Sequence, residues 1–417
     1  MKFALTFFFV IPLFAASAPN IPDKKDVLDK MLLANAYFMN KWPDPGSAIV
    51  TNKERPSNIW TRATYYEGLM ALYQIKPDQK FIDYAVRWAE KHRWQTAYED
   101  FSRNADNMCC GQTYLDLYLL EPKPERIKAI QEAADRMIAT DRIDDWWWID
   151  ALQMGMPVFA KLGTITGESK YWDRMYNMYL YSRNNRGGNG LYNPKDRLWW
   201  RDADFVPPYQ EPNGEDCYWS RGNGWVIAAM TRVLEQNPPD KKQRKEYITM
   251  LKSMSKALIE VQREDGFWNV SLHDPDHFGG PETSGTAFFV YGIAWGINHG
   301  YLNKTKYLPV ILKAWNVLCE KALHPNGFLG YVQGTGKEPS SSQPVTYDSK
   351  PDFEDYGLGA FLLAGSEMYR LARPQTFTVF QPPLEKSQRV NNPTDVSEMN
   401  TAQNTPECSH PNLIERR

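Results

Sequence analysis

The stretch GTAFFVYGIAWGINHG, from Gly285 to Gly300, is apolar on every side of a helical wheel, whereas KTKYLPVILKAWNVLCEK, from Lys304 to Lys321, is apolar on one side only. A helix apolar all round has to be enclosed by others, and an amphipathic one covers a core while facing water. Read together, the two predict a hairpin of one inner and one outer helix. The same alternation recurs outward in both directions. Inner-type runs begin near Ala63, Gly111, Asp150, Gly222, Gly285 and Gly357. Outer-type runs span Gln79–His92, Pro124–Thr140, Ser169–Arg183, Lys241–Gln262 and Lys304–Lys321, and one more, Lys24–Lys41, precedes them all. Six of each kind, with the first outer helix left to pack beside the last inner one, predict an all-α fold closed as an (α/α)6 barrel. An open helical solenoid is the alternative, but solenoid repeats keep a nearly fixed period, and the inner starts here are unevenly spaced. Long connections at 184–220, 265–283 and 325–354 collect Trp, Asp, His and Gly, and long ordered loops are where function concentrates.

The chain has 417 residues, 42% hydrophobic and 24% charged, enough apolar surface for one large core. With 48 basic against 50 acidic residues and no basic block, nucleic acid is not an expected partner. Residues 1–18, MKFALTFFFVIPLFAASA, have the basic start, apolar run and small-residue end of a secretory signal. The apolar run is shorter than the ~20 residues a membrane-spanning helix needs. The expectation is therefore an exported protein, periplasmic or secreted, with no membrane insertion after signal cleavage. The barrel should occupy 25–372, and the polar stretch 373–417 reads as a loosely docked tail. The odd set of five cysteines lacks any C-x-x-C pair, which argues against a zinc site and a disulfide framework.

Three stretches carry possible chemistry. Asp144-Asp145-Trp146-Trp147-Trp148-Ile149-Asp150 puts three indoles before an acid at the mouth of an inner helix, where a low local dielectric would raise a carboxyl pKa toward that of a general acid. Asp106 holds the same place in the preceding hairpin. Each aspartate is also in a position to cap its helix. In Ser220-Arg221-Gly222-Asn223-Gly224-Trp225, Arg221 and Trp225 share a helix face, so Arg221 suits a substrate carboxylate and Trp225 a sugar ring, while Arg221 could equally pair with a structural acid. Trp199-Trp200-Arg201-Asp202 lies in a long loop and could line outer subsites. His273 and His277 occur without the rigid i,i+4 spacing of a helical metal site, and no metal is expected.

Over roughly Asp26–Ala372 these motifs resemble glycoside hydrolase family 105, the unsaturated rhamnogalacturonyl and unsaturated glucuronyl hydrolases. The pieces that carry the resemblance are Asp106-x4-Gly111-Gln112-Thr113-Tyr114, Trp148-Ile149-Asp150-Ala151-Leu152 and Ser220 to Trp225. The resemblance implies an (α/α)6 barrel, no cofactor or metal, and an oligosaccharide substrate ending in a 4,5-unsaturated uronic acid. It implies Asp150 as general acid and base, Asp106 as the second essential acid, and Arg221 and Trp225, with Trp148 nearby, as substrate contacts. Some rhamnogalacturonyl-specific members carry a His where this chain has Trp199 to Asp204. Arg201 in that loop suits a more anionic neighbour, such as a sulfated sugar, so ulvan-type substrates stand beside rhamnogalacturonan. A non-catalytic glycan-binding protein, an inverting glycosidase and a polysaccharide lyase remain alternatives on the same barrel.

Overall fold

The computed structural model describes residues 21–51, 53–99, 103–348 and 354–373. The signal read over 1–18 and the tail beyond Arg373 lie outside the described residues. The helices are α1 (Lys24–Lys41), α2 (Trp60–Ile75), α3 (Gln79–Lys91), α4 (Ala105–Met108), α5 (Gly111–Leu120), α6 (Glu125–Ile138), α7 (Asp150–Thr166), α8 (Ser169–Asn184), α9 (Ser220–Glu235), α10 (Lys241–Glu260), α11 (Thr283–Asn298), α12 (Lys304–Val317) and α13 (Glu354–Leu371). Helix α2 packs on α5, α5 on α7, α7 on α9, α9 on α11, α11 on α13, and α13 returns to α2. That inner ring is closed. Helices α3, α6, α8, α10 and α12 each back the inner helix before them, and α1 backs α13, as the alternation of apolar patterns requires.

Burial follows the two sequence patterns. In α11 every residue from Thr283 to Ile297 is buried, whereas α3 buries only Phe81, Tyr84, Ala85, Trp88 and Ala89, the stripe of a one-sided helix. The ring closes most tightly at two glycines. A Cβ on Gly68 would lie 2.6 Å from the carbonyl oxygen of Gly359, and one on Gly359 would lie 2.2 Å from that of Thr64. No other residue type permits α2 and α13 to approach this closely.

Four inner helices begin two or three residues before the apolar runs that announce them, at Trp60, Ser220, Thr283 and Glu354. Their first turns are largely polar, and the first backbone N–H groups of a helix need no partner inside it, so hydrophobic periodicity does not mark them. At α11 the Glu282 side chain takes up that duty, accepting from the N–H of Ser284 at 2.9 Å and of Gly285 at 2.7 Å. The outer run expected to Lys321 leaves the α register at Val317 and ends in one π turn, Leu318–Ala322. Two small antiparallel hairpins stand in the connections, β1 (Ile49–Val50) with β2 (Glu54–Arg55) and β3 (Tyr192–Asn193) with β4 (Leu198–Trp199).

The inner helices run in one direction. The indole of Trp60, opening α2, lies 5.9 Å from that of Trp225 in the second turn of α9 and 5.3 Å from the ring of Tyr356, in the first turn of α13. Gly285, near the start of α11, faces Ser220, the first residue of α9. Ile149, just before α7, faces Gly222 of α9, and Gln112 of α5 donates to the Gln153 carbonyl of α7 at 2.8 Å, so six helix N-termini share one end of the barrel, where their positive dipole ends favour anions.

Candidate active site

Asp106 and Asp150 meet at that end, and neither is the cap of its own helix. Helix α4 is capped by Asn104, whose Oδ1 accepts from the Asp106 N–H at 2.9 Å. The cap position of α7 is Ile149, which leaves the carboxyl of Asp150, the first helical residue, free for other work. The neighbouring acids are occupied. Asp145 is held by Arg103 through two 2.6 Å hydrogen bonds, and Asp144 pairs with Arg142 at 2.7 Å.

The third charged partner comes from a distant part of the chain. Strand β4 leads into Arg201, whose carbonyl accepts from the Ile149 N–H at 2.9 Å while Asp202 bridges Trp148, so the loop lies across the mouth of α7. Asn223 of α9 fixes this loop from the other side. Its Oδ1 accepts from the Trp199 N–H at 2.9 Å and its Nδ2 donates to the Trp199 carbonyl at 3.0 Å. Arg201, so positioned, has Nε 3.3 Å from Asp150 Oδ2 and donates to Asp202 at 2.5 Å.

Burial and charge oppose one another on the acids. Asp150 is buried, which pushes its pKa up, and the Arg201 and Arg221 cations hold the rise back. Its Oδ2 has no hydrogen-bond partner. Asp106 is pushed up to about 7, first by burial and then by the charge of Asp150, against the pull of Arg201 and Arg55. Two carboxyls that resist ionisation and repel each other behave as a pair that retains a proton near neutrality.

The aromatic and Arg221 expectations need correction. Burial alternates along the run from Trp146 to Trp148. Trp146 and Trp148 therefore turn inward, and Trp147 is the exposed ring, 43% accessible, with the Arg201 guanidinium 5.7 Å from its centre. Trp225 has no open face: it packs on Phe288, Trp60 and Tyr356. A sugar cannot stack on it as arranged. Arg221 is also fully buried, donating to the Gln333 carbonyl at 2.6 Å and the Gly334 carbonyl at 2.8 Å, between the rings of Trp219 and Tyr356. Arranged so, it ties the 331–334 segment to α9, and its charge bears on Asp150.

Sequence reasoning passed over Arg55 and Trp60. Arg55 ends β2, is partly buried with its Nε lacking a hydrogen-bond partner, and sends its charge onto Asp106. Trp60 is the partly exposed ring in front of Trp225. A Trp five residues after an Arg, opening an inner helix, was the available signal. A cavity of about 300 Å³ at the opposite end of the ring is lined by Glu67, Asp116, Lys161, Arg232 and Glu367, among others. There Lys161 pairs with Asp116 and Arg232 with Glu67, so its charges are matched within the barrel.

Comparison with known proteins gives a consistent picture. The model of the family described as Glycosyl Hydrolase Family 88 matches residues 31–372. An unsaturated 3S-rhamnoglycuronyl hydrolase of Formosa agariphila is 33% identical over 334 residues, 75% of this chain and 84% of that protein. A solved structure described as the polysaccharide lyase BACCELL_00875 is 34% identical with a TM-score of 0.76, covering 84% of this chain and 98% of its own. A possible family 105 member from Salmonella enterica, 20% identical, shares the fold with a TM-score of 0.67 over 87% of this chain and 100% of its own. The motifs' resemblance to family 105 and the family 88 match thus lead to one barrel.

Proposed function

The chain belongs to Glycosyl Hydrolase Family 88, and from that premise we propose that it removes the 4,5-unsaturated uronic acid from the non-reducing end of lyase-generated oligosaccharides. The observation that carries this reading is the pair Asp106 and Asp150, both pushed up in pKa, with Asp150 buried and its Oδ2 facing only the Arg201 cation at 3.3 Å. A 4,5-unsaturated uronide is an enol ether, so its C4 accepts a proton and C5 is left with oxocarbenium character. Protonated Asp150 delivers that proton, and its conjugate base then takes one from the water that attacks C5. The product is a hemiketal that opens and expels the remaining chain. Asp106 keeps the pair from losing both protons. Arg201, by its ion pair, keeps the Asp150 carboxylate bound in place after proton transfer. Arg55 is the cation we assign to the uronate carboxylate, and Trp147 the platform for the next sugar.

We place the substrate among sulfated, ulvan-type or rhamnogalacturonan-type oligosaccharides, on the name of the Formosa relative and the cationic loop at Arg201. Export to the periplasm or medium rests on residues 1–18. The polysaccharide lyase likeness favours one other reading, elimination instead of hydration. Incubation with lyase-generated oligosaccharides separates the two. Hydration removes the ultraviolet absorbance of the conjugated double bond, elimination on the parent polymer raises it, and a binding protein leaves it flat.

A further inference from the structure

Glu211, Asp274 and His277 each offer one ligand atom such that all three atoms lie within 4.8 Å of one another. None of them is among the groups acting on Asp106 or Asp150. Glu211 belongs to the α8–α9 connection and the other two to the α10–α11 connection, so the cluster joins two of the three long loops at the substrate end of the barrel. We propose that it is a binding site for one divalent transition-metal ion of the zinc class, which staples these loops.

The site is built rather than incidental. Glu211 is 3% exposed, its Oε2 contacts His277 Nδ1, and its Oε1 has no hydrogen-bond partner of good geometry, with the Cys217 thiol as its neighbour. A thiol is a weak donor, so a cation would satisfy this buried carboxylate better than Cys217 does. The carboxylate of Asp274, equally buried, is oriented by backbone N–H donors: Asn213 at 3.1 Å on Oδ2, and Asp276 and His277 at 3.2 Å on Oδ1. Such outer hydrogen bonds are what fix a metal-binding carboxylate. Asn269 holds the loop itself, donating to the carbonyls of Ser271 at 3.1 Å and Asp274 at 2.8 Å and accepting from the Gly280 N–H at 3.2 Å.

The donor set chooses the ion. Calcium and magnesium take oxygen ligands, whereas an imidazole nitrogen with two carboxylates suits zinc or a neighbouring first-row ion, leaving one position for water. The ion would take the place of the proton between Nδ1 and Oε2, and in neutral His277 that proton moves to Nε2, so the imidazole binds as the Nε2–H tautomer. His277 is 19% exposed at its side chain, which gives the ion an entry path. His273, which the sequence groups with His277, instead packs edge-on against Tyr218 at 4.7 Å and takes no part.

The test begins with the whole chain stripped by a chelator and dialysed against zinc, followed by elemental analysis and a melting curve. The expected result is one equivalent of zinc per chain and a melting temperature that rises with zinc concentration. Glu211→Gln and His277→Ala should each lower affinity at least tenfold, and His273→Ala should leave it unchanged. Cobalt added to the unsubstituted protein supplies a readout independent of how the variants fold: visible d–d bands, abolished by zinc, are expected. Absence of stoichiometric uptake, uptake unchanged by Glu211→Gln, or a cobalt spectrum dominated by thiolate charge transfer would overturn the assignment.

Discussion

Arg201 and Asp150 stand 3.3 Å apart, Nε to Oδ2, although one comes from a loop and the other opens a helix that ends before that loop begins. The pairing depends on Asn223 gripping Trp199 and on the Ile149 N–H meeting the Arg201 carbonyl. The acid is thus raised by burial and restrained by a cation whose position is set from α9.

The pH dependence follows from the direction of the shifts. Asp106 moves from 3.8 to about 7, and Asp150 is raised as well. Activity requires the proton on the pair, so kcat should fall as pH rises through about 7, with the apparent pKa belonging to the pair. Because the folded-state values lie above the unfolded ones, the stability these carboxyls contribute is complete below pH 3.8 and is lost as pH climbs through about 7. Asp106→Asn should therefore be inactive yet melt higher than the parent at pH 8, by roughly 0.5–2 kcal/mol. Calorimetry at two pH values checks it.

Asp150→Asn preserves shape but cannot donate and recover a proton. Turnover should fall by about 10²–10⁴ or more, with binding of an unsaturated disaccharide largely retained. Titration calorimetry alongside kinetics separates the two effects.

Arg201→Met removes the cation that holds both acids down. The alkaline limb of the kcat profile should move to higher pH, and kcat at its plateau should drop. An unmoved limb would mean that Arg201 does not act through the acid pair.

The three indoles give a paired prediction. Trp147→Ala, at the exposed ring, should raise KM with stability changed by about 0.5 kcal/mol or less. Trp148→Ala, at a buried ring, should cost about 3–5 kcal/mol of stability. Denaturant melts of the two variants distinguish platform from core.

The ring of helices was legible because burial all round and burial on one side leave different apolar patterns, and α11 with α12 shows both in a single hairpin. Asp150 stood out in the sequence as an acid beside indoles at a helix mouth and Asp106 as the acid at the same place in the preceding hairpin, and the structure brings the two within reach of each other's charge. Burial of Arg221 and Trp225 was not. Both residue types commonly face ligands, and what covers them, the Gln333–Gly334 turn and Tyr356, lies more than a hundred residues away in sequence. Which of the three indoles is exposed was not legible either, since that is set by Trp146 entering the core against Phe159. Glu211 escaped notice since its partners His277 and Asp274 belong to another loop.

The claim that Asp150 protonates C4 of an enol ether is tested most directly by running the reaction in deuterated water and locating deuterium in the product by NMR. Hydration predicts deuterium bonded to C4 of the released uronic acid, with loss of the double bond. A product without deuterium at C4, formed by attack at the anomeric carbon, would contradict the account.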